Sequence, residues 1–259
     1  MTRKSASWRQ HVKTGSDWVW SEGKLWHKAA SKTSISSNPT GWVGFLVKFI
    51  YADQNQSRNV HSTIKNLLSN LPDHAVCINV GAGITQYKNV VNIEIRDGEN
   101  IDIIGFGSAI PFLDCSVDLL ITQEVLEHIG DYNSLMDEAY RVLRPGGRFY
   151  CQVPFQIGFH PGPYDYWRFS RQGLEFIFSP PKWDREIISI TLGHGSGFYR
   201  IAVEFLAVTI SCLNQRLYRP TKALAALVLY PVKFFDLLTP FSQEKDRIPG
   251  GYFCIARKV

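Results

Sequence analysis

The chain has 259 residues, 45% hydrophobic and 20% charged, with a net charge of +5, the ordinary balance of one large α/β domain with additions. Its five cysteines, Cys77, Cys115, Cys151, Cys212 and Cys254, are odd in number, widely spaced and without a CxxC pair, which excludes a disulfide framework and a cysteine zinc site and fits reduced thiols. The first forty residues are polar and basic without the apolar core of a secretory signal, so a cytoplasmic protein is expected.

In chain order, residues 1–56 read as a basic, Trp-rich arm followed by a lead-in helix. Arg3, Lys4, Arg9, Lys13, Lys24, Lys28 and Lys32 stand against only Asp17 and Glu22 and account for the whole net charge. Trp8, Trp18, Trp20 and Trp26 lie in the same stretch. Such an arm either meets phosphates, anionic lipid or a partner, or packs its indoles on the body while its charges stay solvated. No RNA- or DNA-binding module accompanies the charge, so nucleic acid is not an expected partner. The apolar runs at 42–51 and 223–238 carry Lys48 and Lys233 and fall short of the ~20 residues that span a bilayer as a helix.

Residues 60–71 place Ile64, Leu67, Leu68 and Leu71 at helical spacing, ahead of a short apolar run at 75–80 that reads as a buried strand ending at Gly81. Further β-branched runs at 90–95, 101–104 and 117–122 read as strands. Residues 131–143 form an amphipathic helix with Asp131 or Asn133 as cap, and 148–153 a fifth strand after a Pro-Gly-Gly turn. A short helix is expected at 171–178 and strands at 186–192 and 251–257. Between these last two lie apolar helical stretches at 201–213 and 223–238. Strands alternating with helices imply an α/β, Rossmann-like sheet of seven mostly parallel strands with helices on both faces, a shortened first crossover and a helical insertion before the last strand.

The turn Asn79, Val80, Gly81, Ala82, Gly83 follows a buried strand, and two residues without Cβ let a ligand approach the backbone. Glu94 ends the next strand and can accept hydrogen bonds from both hydroxyls of a ribose. Together they describe an adenosine pocket.

That turn, with Asn92-Ile93-Glu94-Ile95, Ile110-Pro111-Phe112, Glu124-Val125-Leu126-Glu127-His128-Ile129 and the run from Arg141 to Gly147, resembles the class I S-adenosylmethionine-dependent methyltransferases of the broad "type 11" group over residues 75–155. Val153-Pro154-Phe155, followed by the run from His160 to Phe169, is similar to a bacterial subgroup associated with sugars and other small polar metabolites. The resemblance implies S-adenosylmethionine as cofactor, with Gly81 and Gly83 at its methionine part and Glu94 at the ribose. It implies Gly107 and Ser108 bordering the adenine, and Gln123 and Glu124 facing cofactor or acceptor. It makes 57–200 and 243–259 the methyltransferase domain, with 201–242 as an apolar insertion.

The chain departs from the family pattern at three positions. Asn79, in the cofactor-binding turn, stands where an acid is usual, Thr85 where a third glycine often occurs, and Phe106 where many relatives carry an aspartate for the adenine amino group. The stretch from Gly83 to Val90 is too short for a normal crossover helix.

Methyl transfer from a sulfonium needs two oriented substrates, exclusion of water and a group to accept one proton. His160, in a Gly/Pro-rich loop, is the candidate base, the alternative being a loop-stabilising hydrogen bond. Asp165 would orient it or bind an acceptor hydroxyl, and Tyr164, Tyr166 and Arg168 would line a polar acceptor site. His128 reads as structural, and no metal site is expected, because His160, Asp165 and His128 lack a local ligand spacing. The expected reaction is O-methylation of a sugar, glycan or other small polar acceptor; N-methylation of an amino sugar or lipid-linked intermediate, and a degenerate cofactor-binding scaffold, stand as alternatives. The insertion is either a lid or a peripheral membrane contact in which Phe205, Leu206, Leu227, Leu229, Phe234 and Phe235 enter one leaflet of the inner face of the membrane.

Overall fold

Among the described residues nine strands are present: β1 (Trp18–Ser21), β2 (Lys24–His27), β3 (Cys77–Val80), β4 (Val90–Glu94), β5 (Ile103–Ile104), β6 (Val117–Gln123), β7 (Leu143–Pro154), β8 (Trp183–Ile190) and β9 (Gly251–Lys258). This computed structural model describes residues 6–13, 15–21, 23–30, 55 and 57–259. The apolar run at 42–51 with its expected lead-in helix, and Arg3, Lys4, Glu22 and Lys32, lie outside the described residues. The strands form one sheet in the order β1-β2-β5-β4-β3-β6-β7-β9-β8. From β5 to β7 the pairing is parallel, in the order of a doubly wound Rossmann-like core, and β9 enters antiparallel between β7 and β8.

Seven of these strands correspond to the expected ones; the other two correct the strand count. The hairpin β1–β2 comes from the basic arm, and Leu25 and Trp26 of β2 pair with Ile103 and Ile104 of β5. Two four-residue strands, with β1 half-exposed, carry too short an alternation to be read from the sequence. The hairpin is fastened at several points. Trp8 is buried beside Phe112, Arg9 lies 4.9 Å over the Trp20 ring, and Lys24 Nζ meets Asp97 Oδ1 at 2.5 Å. Trp8 thus packs on the body, whereas Trp20 stays 42% exposed on the edge strand.

Side chains alternate across the sheet with period two. On one face Cys77, Leu119, Ile121, Tyr150 and Phe253 pack with Val60 and Ile64 of α1 (Arg58–Ser69), whose start is capped by Ser57. On the other, Ile78, Val80, Leu120 and Cys151 pack with Leu135, Met136, Ala139 and Val142 of α2 (Tyr132–Val142), capped by Asp131, and with Leu174 of α3 (Arg171–Ile177). Helices on both faces are thus present. Burial of each such aliphatic side chain contributes roughly 1.5–3 kcal/mol, which is why these short helices hold. Residues 81–89 join β3 to β4 without a helix, so the first crossover is short, as expected.

The insertion begins earlier than its apolar pattern suggested. Helix α4 (His194–Ser211) starts at 194 instead of 201, and the second apolar stretch divides into α5 (Tyr218–Val228) and a 3-10 segment (Tyr230–Phe241). The run Gly193-His194-Gly195-Ser196-Gly197 lies ahead of the expected helical stretch, and the Asp236 carboxylate accepts from Ser196 N at 2.9 Å and from Ser196 Oγ at 2.5 Å and so caps the helix there. The glycines admit neighbouring backbone: a Cβ on Gly195 would lie 2.5 Å from Val232 O. Pro231, at the start of the 3-10 segment, has no N–H to carry α5 onward. Among the described residues no single helix is long and apolar enough to cross a membrane, although Gln215–Val228 and Tyr230–Phe241, bent by 49°, pass that test together.

Candidate active site

The glycine turn sits at the carboxyl ends of β3, β4 and β6. Gly81 and Gly83 adopt φ of +70° and +52°, a region that disfavours other residues. The amides of Gly81 and Ala82 both donate to Ile93 O, at 2.9 and 3.2 Å. A Cβ on Gly81 would lie 2.3 Å from Val125 Cγ2, so the turn is locked against the segment leaving β6; a Cβ on Gly83 would meet nothing within 4 Å. The turn is therefore closed on one side and open on the other.

Glu94 faces this opening. Its Oε2 accepts from Gly83 N and its Oε1 from Ile95 N, both at 2.9 Å. Each oxygen keeps lone-pair capacity for a hydroxyl donor. Asn79, only 1% exposed, has neither Nδ2 nor Oδ1 partnered. An unsatisfied buried amide costs about 1–3 kcal/mol, which a ligand group able to bond it would recover. The indole N–H of Trp26 is likewise buried without a partner, and its ring packs with Ala82, Ile101 and Ile104.

The remaining expected cofactor residues are placed less uniformly. Ser108 is exposed, and Gly107 packs closely, its missing Cβ facing Leu135 Cδ1 at 2.9 Å. Phe106 meets the His27 ring edge-on at 5.4 Å. Gln123 accepts from Tyr87 OH at 2.6 Å and lies in a buried amide network with Asn55 and Gln152, which fixes the short crossover to β6 and β7. Glu124 holds φ +56°, strained for a non-glycine residue, while its amide donates to Gln152 O.

A second cluster forms where the loop after β7 folds over the 3-10 turn Leu126–His128. Glu127 is fully buried, and its Oε1 lies 3.6 Å from His128 Nε2 and 3.9 Å from His160 Nε2, beyond hydrogen-bond distance. His128 Nδ1 contacts Tyr164 O at 2.5 Å, and because a carbonyl only accepts, Nδ1 carries the proton. His160 Nδ1 lies 3.1 Å from Gly158 O and 3.3 Å from Arg168 Nη2; because the two Nη2 protons are directed at Asp165 Oδ2 and Gly158 O, Nδ1 is assigned the proton and donates to Gly158 O. The Glu127 carboxylate is the main influence raising the His160 pKa above the ordinary imidazole value, against burial, with smaller support from Gly158 O and Asp165.

Asp165 is occupied in ordering this loop. It accepts from Arg168 Nη1 at 2.5 Å, from Arg168 Nη2 at 2.8 Å and from His160 N at 2.9 Å. These bonds, the Arg168 guanidinium first, hold its carboxyl well below the usual carboxylate range. Asp165 thus orients His160, and Arg168 clamps the loop with a further bond to Gly158 O. Tyr164 and Tyr166 are exposed, with rings 5.6 Å apart, at the loop's outer surface.

His160 also lines a cavity of about 290 Å³ between this loop and the insertion, together with Tyr199, Arg200, Glu204, Lys222 and Lys233. Glu204 accepts from Lys222 and from Tyr218 OH, so its charge is offset locally. Lys233 lies over the Tyr199 ring at 4.4 Å, and burial, with Arg200 adding to it, lowers its pKa to about 8. The cavity is basic on balance.

Taken singly, Glu127, Trp26, Arg200 and Lys233 carry no site signal in the sequence, and His128, read there as structural, pins the loop through Tyr164 O. The adjacent Glu127-His128 pair was the one available signal. The two lysine- and arginine-bearing helices gave none, because their basic residues stand apart in sequence.

Residues 82–151 match the family model described as a methyltransferase domain. Over 70 residues the chain is 43% identical to a probable S-adenosylmethionine-dependent methyltransferase of Mycolicibacterium smegmatis, covering 27% of this chain and 24% of that protein. Over 95 residues it is 30% identical to a demethylmenaquinone methyltransferase of Geobacillus, covering 36% of this chain and 38% of that protein. The chain thus spans well under half the length of these curated relatives. Similar solved structures include phosphoethanolamine N-methyltransferase 2 of Haemonchus contortus, at TM-score 0.48 and 14% identity over 83% of this chain and 57% of that one. Another is a geranyl diphosphate C-methyltransferase of Streptomyces coelicolor, at TM-score 0.47 and 11% identity over 89% and 91%.

Proposed function

We propose that the chain is an S-adenosylmethionine-dependent methyltransferase that methylates an oxygen of a small polar acceptor, a sugar or related metabolite carrying an anionic group. The observation that carries this reading is that Gly83 and Glu94, both within the matched segment 82–151, meet at the carboxyl ends of β3 and β4, while the orphaned amide of Asn79 lies in the strand that leads into the turn. These residues fit the cofactor: Glu94 takes the ribose hydroxyls, the turn from Gly81 to Gly83 leaves room for the methionine part, and Asn79 offers a donor and an acceptor where relatives carry an acid. Trp26 supports the adenine side with a ring and an unpaired N–H. When bound, the cofactor supplies a methyl group on a positively charged sulfur.

The chain's own residues do the rest. The basic cavity holds the acceptor's anionic group at Arg200 and Lys233. His160 Nε2, its proton on Nδ1, takes the proton that the acceptor hydroxyl loses, and Glu127 stabilises the imidazolium. Asp165 and Arg168 keep the ring in place.

The insertion supports a second element of the reading, a peripheral contact with an anionic bilayer. Phe205, Leu206, Leu227, Phe234 and Phe235 are exposed, as are Arg216 and Arg219 of the same insertion, whereas Leu229 packs inward. Apolar side chains flanked by arginines complement a negatively charged lipid surface.

The test is incubation of the full chain with methyl-labelled cofactor and fractionated cell extract. Label entering small anionic polar compounds is the expected result. Label confined to macromolecules overturns the acceptor class, and cofactor binding without transfer to any fraction favours a scaffold.

A further inference from the structure

Glu127, His128 and His160 each present one ligand atom, and all three lie within 4.8 Å of one another. All three are lone-pair acceptors. His128 Nδ1 donates to Tyr164 O and His160 Nδ1 to Gly158 O, so in the neutral rings both Nε2 atoms present lone pairs to the carboxylate. Neither carboxylate oxygen of the fully buried Glu127 has a hydrogen-bond partner. A buried carboxylate facing two imidazole lone pairs is costly unless a positive species sits between them.

From this geometry we infer that Glu127, His128 and His160 form a binding site for a first-row divalent transition ion, with the remaining coordination positions turned toward the basic cavity. Spacing favours an ion over a shared proton. A charge-assisted hydrogen bond needs about 2.7–2.9 Å. A tetrahedral site with bonds of ~2.0–2.1 Å places its ligand atoms about 3.3 Å apart. The observed 3.6 and 3.9 Å are nearer the second. Two imidazoles with one carboxylate suit zinc, cobalt, manganese or iron better than magnesium or calcium. The outer contacts are those of a built site: each imidazole donates its other ring N–H to a backbone carbonyl, and Asp165, held by Arg168, accepts from the His160 amide. Each fixes the ring orientation that the ion requires.

The ion deepens the reading of the same site without resting on it. With it bound, the His160 Nε2 lone pair is used as a ligand, so the proton-accepting role given to His160 belongs to the ion-free chain, and an acceptor oxygen coordinated at an open position is polarised by the ion.

The test is titration of the chelator-treated full chain with Co²⁺ alone, read by calorimetry and by visible absorption. A Cys115→Ser/Cys212→Ser background is used because these two exposed thiols offer competing ligands. One equivalent is expected to bind with a tetrahedral or five-coordinate spectrum, while Mg²⁺ gives no comparable heat. Glu127→Gln and His160→Ala should each weaken Co²⁺ by more than about 100-fold, beyond what loss of an outer contact does. Circular dichroism confirms that each variant is folded, and His128→Gln serves if one is not. No binding by the parent chain, or binding that all three substitutions leave unchanged, overturns the site. Cofactor binding is measured separately, so loss of one reading is distinguishable from loss of the other.

Discussion

The glycine turn proposed to take the cofactor and the loop-and-insertion cluster proposed to take the acceptor are built in opposite ways. At the carboxyl ends of β3 and β4 the arrangement rests on backbone: two left-handed glycines, amides aimed at Ile93 O and one carboxylate held by two further amides. Across the loop after β7 and the insertion it rests on side chains that meet from distant segments, Glu127 with His160 and Arg200 with Lys233. The first is fixed as soon as the sheet forms. The second exists only when loop and insertion are both in place, so damage to it should leave cofactor binding intact.

The largest expected effect lies in the backbone half. Gly81→Ala forces a Cβ to within 2.3 Å of Val125 Cγ2 at φ +70°. Strain of ~1–3 kcal/mol and overpacking of a similar size should remove measurable cofactor binding and lower the Tm. Unchanged affinity by calorimetry would mean the turn is not the cradle. Asp165→Ala should come next, at roughly 2–4 kcal/mol of stability, because it leaves Arg168 and the His160 amide without their acceptor. Turnover should fall while cofactor affinity stays within about twofold; a parallel loss of both would erase the separation of the halves.

A smaller effect concerns charge in the cavity. Lys233, with its pKa near 8, is faced by Arg200 and Asp236 and by the rings of Tyr199 and Tyr230. Affinity for inorganic phosphate as an anionic probe should drop as pH rises through about 8, by roughly tenfold, the scale of one charge-assisted bond. The same depressed value has a sign for stability: the unfolded chain binds more protons between about 8 and the ordinary lysine range, so Lys233 penalises folding below pH 8 and the penalty fades as pH rises. Lys233→Met should flatten the phosphate profile. The smallest effect is on vesicle association, where Phe234→Ser with Phe235→Ser should weaken sedimentation with anionic vesicles and leave phosphate binding unchanged. Dimerisation relieved by these substitutions would instead assign the apolar face to a second copy.

The same contrast explains what the sequence revealed. Apolar runs ending at Gly81 and Glu94 announce buried parallel strands, and the periodicity at 60–71 and 131–143 announces the helices, because each signal is local. The β1–β2 hairpin is not legible because four residues give too little alternation, and neither is the start of α4, because its glycines carry no helical signal and serve packing against Val232 and Asp236. Glu94, Gly81 and Gly83 were legible from order and spacing. Glu127 was not, since its significance depends on His160, 33 positions later, turning Nε2 toward it.

Calorimetric titration with S-adenosylhomocysteine of the parent chain and Glu94→Ala tests the cofactor end most directly. The expected result is one site in the parent chain, weakened by about 1–3 kcal/mol, or roughly 5- to 150-fold, when the carboxylate is removed. A folded parent chain that gives no heat, or equal affinity in the two proteins, would contradict it.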